Sequence, residues 1–191
     1  MVFLATALAA CATPPANERE TGSGGQFIRY SSKQVSVDLT DEQRETLRQL
    51  RDHMLADTES TKALEAVAAV LKKQGYTPVS VDAEMGTVEA ERHTVLVEKW
   101  RQIVRGALKA RLGGLPAKPD HERMQALVVV RSADGRRGLL VRVRFDRTVW
   151  DSNGDARTET VLDKTVYQGF FSEVDTAMRA PTVVTAPTAG R

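Results

Sequence analysis

The sequence predicts an α+β domain: an antiparallel sheet of about five strands with helices packed on one face. Three observations predict it. Leu139, Val141, Val143, Phe145 and Val149 lie on one face of an extended run whose other face carries Arg142, Arg144 and Asp146, the period-two pattern of a strand buried on one side. Leu64, Val67, Ala68 and Leu71 fall at i, i+3, i+4 and i+7, a single apolar stripe along a helix. The pairs Met85-Gly86, Asp134-Gly135 and Asn153-Gly154 separate strand-like runs by tight turns, and hairpins build antiparallel sheets with one face free to meet water.

The elements follow in order. Thr40 and Gln43 form the ends of a capping box, Thr accepting from the backbone and Gln reaching back. A charged helix is expected over residues 40–57, with a thin stripe of Leu47, Leu50 and Met54. The second helix closes with Lys72 and Lys73 in its last turn and Gly75 at the C′ position, where cations and a left-handed residue are favoured. Val79 and Val81, then Val88 and Ala90, make a hairpin around Met85-Gly86. Trp100, Ile103, Val104, Ala107 and Leu108 mark a third helix ending near Gly113-Gly114. An apolar run over 126–131, the long strand, a further strand near 158–165 and a last helix bearing Tyr167, Phe170, Phe171, Val174 and Met178 complete a domain placed at residues 58–179. The Pro-, Thr- and Ala-rich residues 180–191 read as a disordered tail.

A chain of 191 residues is enough for one such domain plus tails. Aromatic residues are 5% of it, so the core must rest on Val, Leu, Ile and Ala. The formal net charge of +2 gives no general case for nucleic acid. Charge is unevenly spread, with 13 Lys/Arg against 5 Asp/Glu over residues 98–147 and 4 against 8 over residues 38–65. Within the basic part, Arg142 and Arg144 share a strand face, and Arg131, Arg136 and Arg137 flank the same hairpin. The guanidinium fork suits phosphate and carboxylate, so these five arginines are the candidate anion-binding residues.

Residues 1–10 are uncharged and apolar, ending in small residues before Cys11, the only cysteine. They have the character of the latter part of a signal peptide and fall short of the roughly 20 residues that span a bilayer. Leu8-Ala9-Ala10-Cys11 resembles the lipobox of bacterial lipoproteins. That resemblance implies cleavage before Cys11, lipidation of its thiol and acylation of its new amine. No Lys or Arg precedes Arg19, so the basic start of such a signal is expected upstream of Met1. Residues 11–39 then read as the lipidated cysteine and a flexible tether, rich in Pro, Gly and polar residues. Several acyl chains on one residue suffice for stable attachment, where one alone is marginal. Ala12 stands where inner-membrane lipoproteins similar to this one carry Asp, which implies the outer membrane, facing the periplasm. In that compartment an envelope protein, an anionic lipid or a polysaccharide is an eligible partner and nucleic acid is not.

No constellation with catalytic chemistry emerges. His53, His93 and His121 lie apart with no ligand-spaced neighbour, so no metal and no cofactor is expected. Asp151-Ser152-Asn153-Gly154-Asp155 lacks the sixth-position Gly and twelfth-position Glu of a calcium loop and reads as a hairpin turn. There is no Gly-x-Ser-x-Gly elbow. Glu89 and Glu91, alternating with Ala90, read as a solvated strand face. The sequence thus points away from an enzyme and toward a binding or scaffolding module for an envelope component. An anionic lipid- or polysaccharide-binding module is the alternative, and an undetected hydrolase ranks behind both.

One stretch resembles a known domain type. Val70-Leu71-Lys72-Lys73-Gln74-Gly75-Tyr76, Val79 to Asp82, Gly86-Thr87-Val88-Glu89-Ala90 and Arg92 are similar to a phrase in small Gram-negative lipoproteins, including the helix-grip domains of the third lipoprotein of the β-barrel assembly machinery. Tyr167-Gln168-Gly169-Phe170-Phe171 resembles a closing phrase of uncharacterised lipoproteins. The resemblance implies a helix-grip-like α+β fold and a binding or scaffolding role, and it carries over no catalytic position.

Overall fold

The computed structural model describes residues 17–21, 32–56, 58–96, 119–133 and 137–179. Within them the chain is α+β, with strands β1 (Glu18–Thr21), β2 (Gln34–Val37), β3 (Asp52–Leu55), β4 (Val79–Asp82), β5 (Thr87–Val95), β6 (Pro119–Ser132), β7 (Leu139–Asp151) and β8 (Ala156–Thr160). Helices α1 (Asp41–Leu50), α2 (Ser60–Lys73) and α3 (Lys164–Arg179) complete it. The expected third helix over Trp100 to Leu108, the tail and Cys11 lie outside the described residues.

The sheet is larger than the five antiparallel strands expected. It has eight, in the order β1-β2-β8-β7-β6-β5-β4, with β3 pairing β7 beside that path. It is also mixed, because β2 runs parallel to β8. Two of the added strands, β1 and β2, fall inside the segment expected to be a tether; they pair antiparallel with each other. The third, β3, replaces the end of the charged helix. That helix stops at Leu50, where Arg51 caps it by donating its backbone N–H to Leu47. Asp52 to Leu55 then pair with Leu139 to Arg142, satisfying a sheet edge that a longer helix would have left open.

Local signals set the remaining elements. The Gln43 backbone N–H donates to Thr40 Oγ1 at 3.2 Å and the Thr40 N–H donates to Gln43 Oε1 at 3.0 Å, the reciprocal capping box. At the end of α2, Gly75 adopts φ +84; its N–H donates to Lys72 and that of Tyr76 to Leu71, which closes the helix in a Schellman motif.

The core forms where one strand parity meets the helices. Val88 and Ala90 of β5, Ala126, Val128 and Val130 of β6, and Leu139, Val141, Val143 and Phe145 of β7 are buried against α2 and α3. From α2 come Leu64, Val67 and Leu71, and from α3 come Tyr167, Phe170, Phe171 and Val174. Phe145 meets Tyr167 at 5.4 Å and Phe170 at 5.6 Å between ring centroids, both edge to face. The Tyr167 hydroxyl donates to the Val161 carbonyl at 2.9 Å.

Burial pushes the Tyr167 phenol up to about 12. A group whose pKa is raised on folding contributes stability below its unfolded value, near 10, and loses it as pH rises. Stability should therefore fall between pH 10 and about 12. Urea midpoints at pH 9 and 11.5 check this, and Tyr167→Phe should flatten that part of the profile.

Candidate functional site

Helices cover one face of the β5–β6–β7 sheet, so the residues of opposite parity form its other face. There, Glu89 lies level with Leu127 and Arg144, and Glu91 with Gln125 and Asp146. Thr87, Val129 and Arg142 make the next row. The face carries acids on β5, a mixed polar and apolar row on β6 and arginines on β7.

The arginines are not presented to a ligand as bare cations. Arg142 binds Asp52 of β3 with two hydrogen bonds of 2.7 Å, and that carboxylate raises the guanidinium pKa above its ordinary value. Arg144 donates to Asp146 at 3.0 Å and to the Thr160 hydroxyl at 2.9 Å. Thr160 in turn donates to Asp146 at 2.8 Å, closing a three-membered network. Arg137 is exposed on the turn entering β7, Arg131 is exposed near the end of β6, and Arg136 lies outside the described residues. The structure thus brings Arg142 and Arg144 to one face and neutralises both. Sequence spacing shows the shared face; it carries no sign of Asp52, which pairs across 90 positions.

The Arg142–Asp52 pair joins β3 to β7, with about a third of each side chain exposed. Solvent screening therefore limits its contribution to about 1 kcal/mol or less. A double-mutant cycle with Arg142→Ala and Asp52→Ala, read from urea midpoints, should return a coupling of that size.

A depression of about 340 Å³ opens on the β4–β5 side of this face. Ser80, Glu89, Glu91, Gln125, Leu127 and Asp146 line it. Gln125 donates to Glu91 at 2.9 Å and holds that carboxylate below the usual range, His93 and Arg123 acting in the same direction. Glu89 is exposed and has no hydrogen-bond or ion-pair partner among the described residues. Leu127 is an apolar side chain left 44% exposed at the centre of the face. At the far end of β6 and β7, Trp150 stacks on His121 with ring centroids 4.7 Å apart, and the Arg123 guanidinium lies 5.4 Å from the Trp150 ring.

Each histidine faces one carboxylate: His53 Nε2 with Asp175 at 2.8 Å, His93 with Glu91 at 3.4 Å, and His121 with Asp120 at 3.2 Å. Among the described residues no three of His, Cys, Asp and Glu come together to hold a metal ion. Asp151 Oδ1 accepts from the backbone N–H groups of Asn153 and Asp155, each at 2.9 Å. The acidic 151–155 segment is thereby a self-stapled turn between β7 and β8, as its sequence reads. None of the described helices is long and apolar enough to cross a membrane.

Sequence reading missed the depression. Its lining comes from β4, β5, β6 and β7, and only the register between strands places Ser80, Glu89 and Gln125 side by side. The alternation of Glu89 and Glu91 with Ala90 was the one available signal, and it identifies the face without revealing the hollow. Among the described residues, the fold and site define an α+β domain with a polar sheet face that no described helix covers. No protein-family model matches the sequence, and no curated protein matches it.

Proposed function

We propose that this chain is a lipid-anchored lipoprotein of the cell envelope whose domain binds or scaffolds another envelope protein through its open sheet face. The observation that carries the binding role is the face itself. It spans β4 to β7, lies opposite the face that α2 and α3 cover, and combines a depression with an exposed Leu127 and a Glu89 carboxylate that has no partner among the described residues. Concave surfaces with a few converging polar groups are where partners dock. The anchor rests on the resemblance of Leu8-Ala9-Ala10-Cys11 to a lipobox and on the apolar run before it. Both support export to the periplasm, and Ala12, where inner-membrane lipoproteins resembling this one carry Asp, supports the outer membrane. The helix-grip likeness belongs to the same reading, with α2 and α3 packed side by side on the sheet.

A protein partner is preferred to an anionic lipid or polysaccharide because of the pairing on β7. A phosphate or carboxylate would have to compete with Asp52 for Arg142 and with Asp146 for Arg144, bringing a further negative charge beside those acids.

The test is affinity recovery from detergent extracts using the full chain with Cys11 intact. One envelope protein should be recovered repeatedly by the wild type and lost with Leu127→Arg on the open face. Recovery that is indifferent to Leu127→Arg would count against this face as the binding surface.

A further inference from the structure

Strand β4 ends the sheet, so among the described residues its outer edge has no strand partner. An open edge offers unpaired backbone N–H and C=O groups that a further strand can join. The depression of the open face adjoins this same edge, because Pro78 and Ser80 form its outer rim. Ser80 pairs directly with Glu89, and its small side chain leaves a notch between the edge and the acids behind it. We infer that the β4 edge and this notch take an extended cationic segment of a partner protein, added alongside β4 as a further strand. The inference rests on the open-face reading and names the partner's chemistry.

The charge pattern fixes the sign of the occupant. Three carboxylates, Glu89, Glu91 and Asp146, line the depression, and among the described residues no Lys or Arg does. Asp146 is countered by Arg144, and Glu91 is held by Gln125 with Arg123 4.0 Å away. Among the described residues Glu89 has no cation partner, and it pairs with Ser80 at the notch. Neighbouring strands lie about 4.8 Å apart, so a Lys or Arg on an added strand opposite Ser80 crosses β4 with its aliphatic stem and places its charge at Glu89. Side chains two residues away on that segment share the same face. Main-chain hydrogen bonds of the added strand supply affinity, and the acids select for alternate basic residues.

The test uses the full chain and two acetylated, amidated ten-residue peptides, one alternating Lys and Val and the other alternating Glu and Val. Binding is read by fluorescence anisotropy, and amide exchange of Val79 to Asp82 is read with and without peptide. The Lys–Val peptide should bind, the Glu–Val peptide should not, and the β4 amides should exchange more slowly in the complex. Glu89→Gln combined with Glu91→Gln should weaken binding at least tenfold, and Ser80→Trp, which fills the notch, should do the same. Circular dichroism of each variant confirms that it folds. No binding of the Lys–Val peptide, equal binding by the double variant, or binding without slowed exchange at β4 would overturn the inference. So would concentration-dependent self-association through β4, which would make a second copy of this chain the occupant. The failures of the two proposals are distinguishable. An envelope protein recovered equally by wild type and the Glu89→Gln/Glu91→Gln chain sinks this inference and leaves the open-face reading standing. Peptide binding with no recovered envelope protein leaves the β4 edge and its preference for basic residues standing and counts against an envelope protein as the partner.

Discussion

Replacing Phe170 by Ala should cost about 3–5 kcal/mol of folding stability, the largest loss expected of any single truncation in this chain. Phe170 is 1% exposed and touches two other rings of the aromatic core: Phe145 edge to face at 5.6 Å and Phe171 at 5.4 Å. Close-packed interiors relax only partly around a deleted ring, so the transfer loss adds to that of the cavity left behind. Domains of this size are stable by about 5–15 kcal/mol, and such a loss takes a large share of it. The measurement is the urea midpoint with unchanged slope. A loss under about 1 kcal/mol would mean that α3 does not seat on β7 as described.

The second large effect is expected at Gly86, the turn between β4 and β5. Its φ is +66, and a Cβ added there would lie 2.5 Å from the Val130 carbonyl oxygen. The close approach is functional in the fold: the Val130 N–H donates to the Gly86 carbonyl at 2.8 Å, which ties the β4–β5 turn to β6. A β-branched residue in the left-handed region adds backbone strain to that collision. Gly86→Val should therefore destabilise by about 2–4 kcal/mol. The contrasting site is Gly169 in α3, where an added Cβ meets nothing within 4 Å. Gly169→Ala should stabilise by about 0.5–1 kcal/mol through helix propensity and reduced freedom of the unfolded chain. Thermal or urea denaturation of the two variants should shift in opposite directions.

Gly86 and Gly75 mark how far local sequence reaches. Met85-Gly86 is legible as a turn from its flanking alternations, and Gly75 as a helix end from the Lys pair before it. The apolar stripes of α2 and α3 and the buried parity of β7 are likewise local patterns, and the structure places them where the periodicity does. What local pattern does not contain is pairing at long range. β3 is four residues long, carries one buried apolar residue, Leu55, and exists because β7 has a free edge for it. β1 and β2 sit in polar sequence, and β2 is fixed by the parallel neighbour β8 more than 100 positions on. Glu18 to Thr21 have no apolar period to announce β1, while Val35, Val37 and Leu39 alternate with polar residues and are a short strand signal inside the segment expected to be a tether. The same reason explains the arginines. Alternation puts Arg142 and Arg144 on one face, but the acids that neutralise them come from β3 and from within β7 itself.

The neutralisation changes which partner the proposed binding face would favour. A row of free guanidinium groups would favour any polyanion, and its attraction would fall steeply with salt. With Arg142 and Arg144 paired, the carboxylate of Glu89 on β5 is a charge on this face without a partner among the described residues. The surface is then better matched to a basic protein segment than to a phosphate-bearing lipid.

The central claim is that Cys11 carries acyl chains and holds the domain beside a membrane. Intact and peptide mass spectrometry of the chain extracted in detergent from its native membrane tests it directly. The account predicts a chain beginning at Cys11, with its thiol bearing a diacylglycerol and its amine an acyl group. A chain that retains residues 1–10 ahead of an unmodified Cys11 thiol would contradict it.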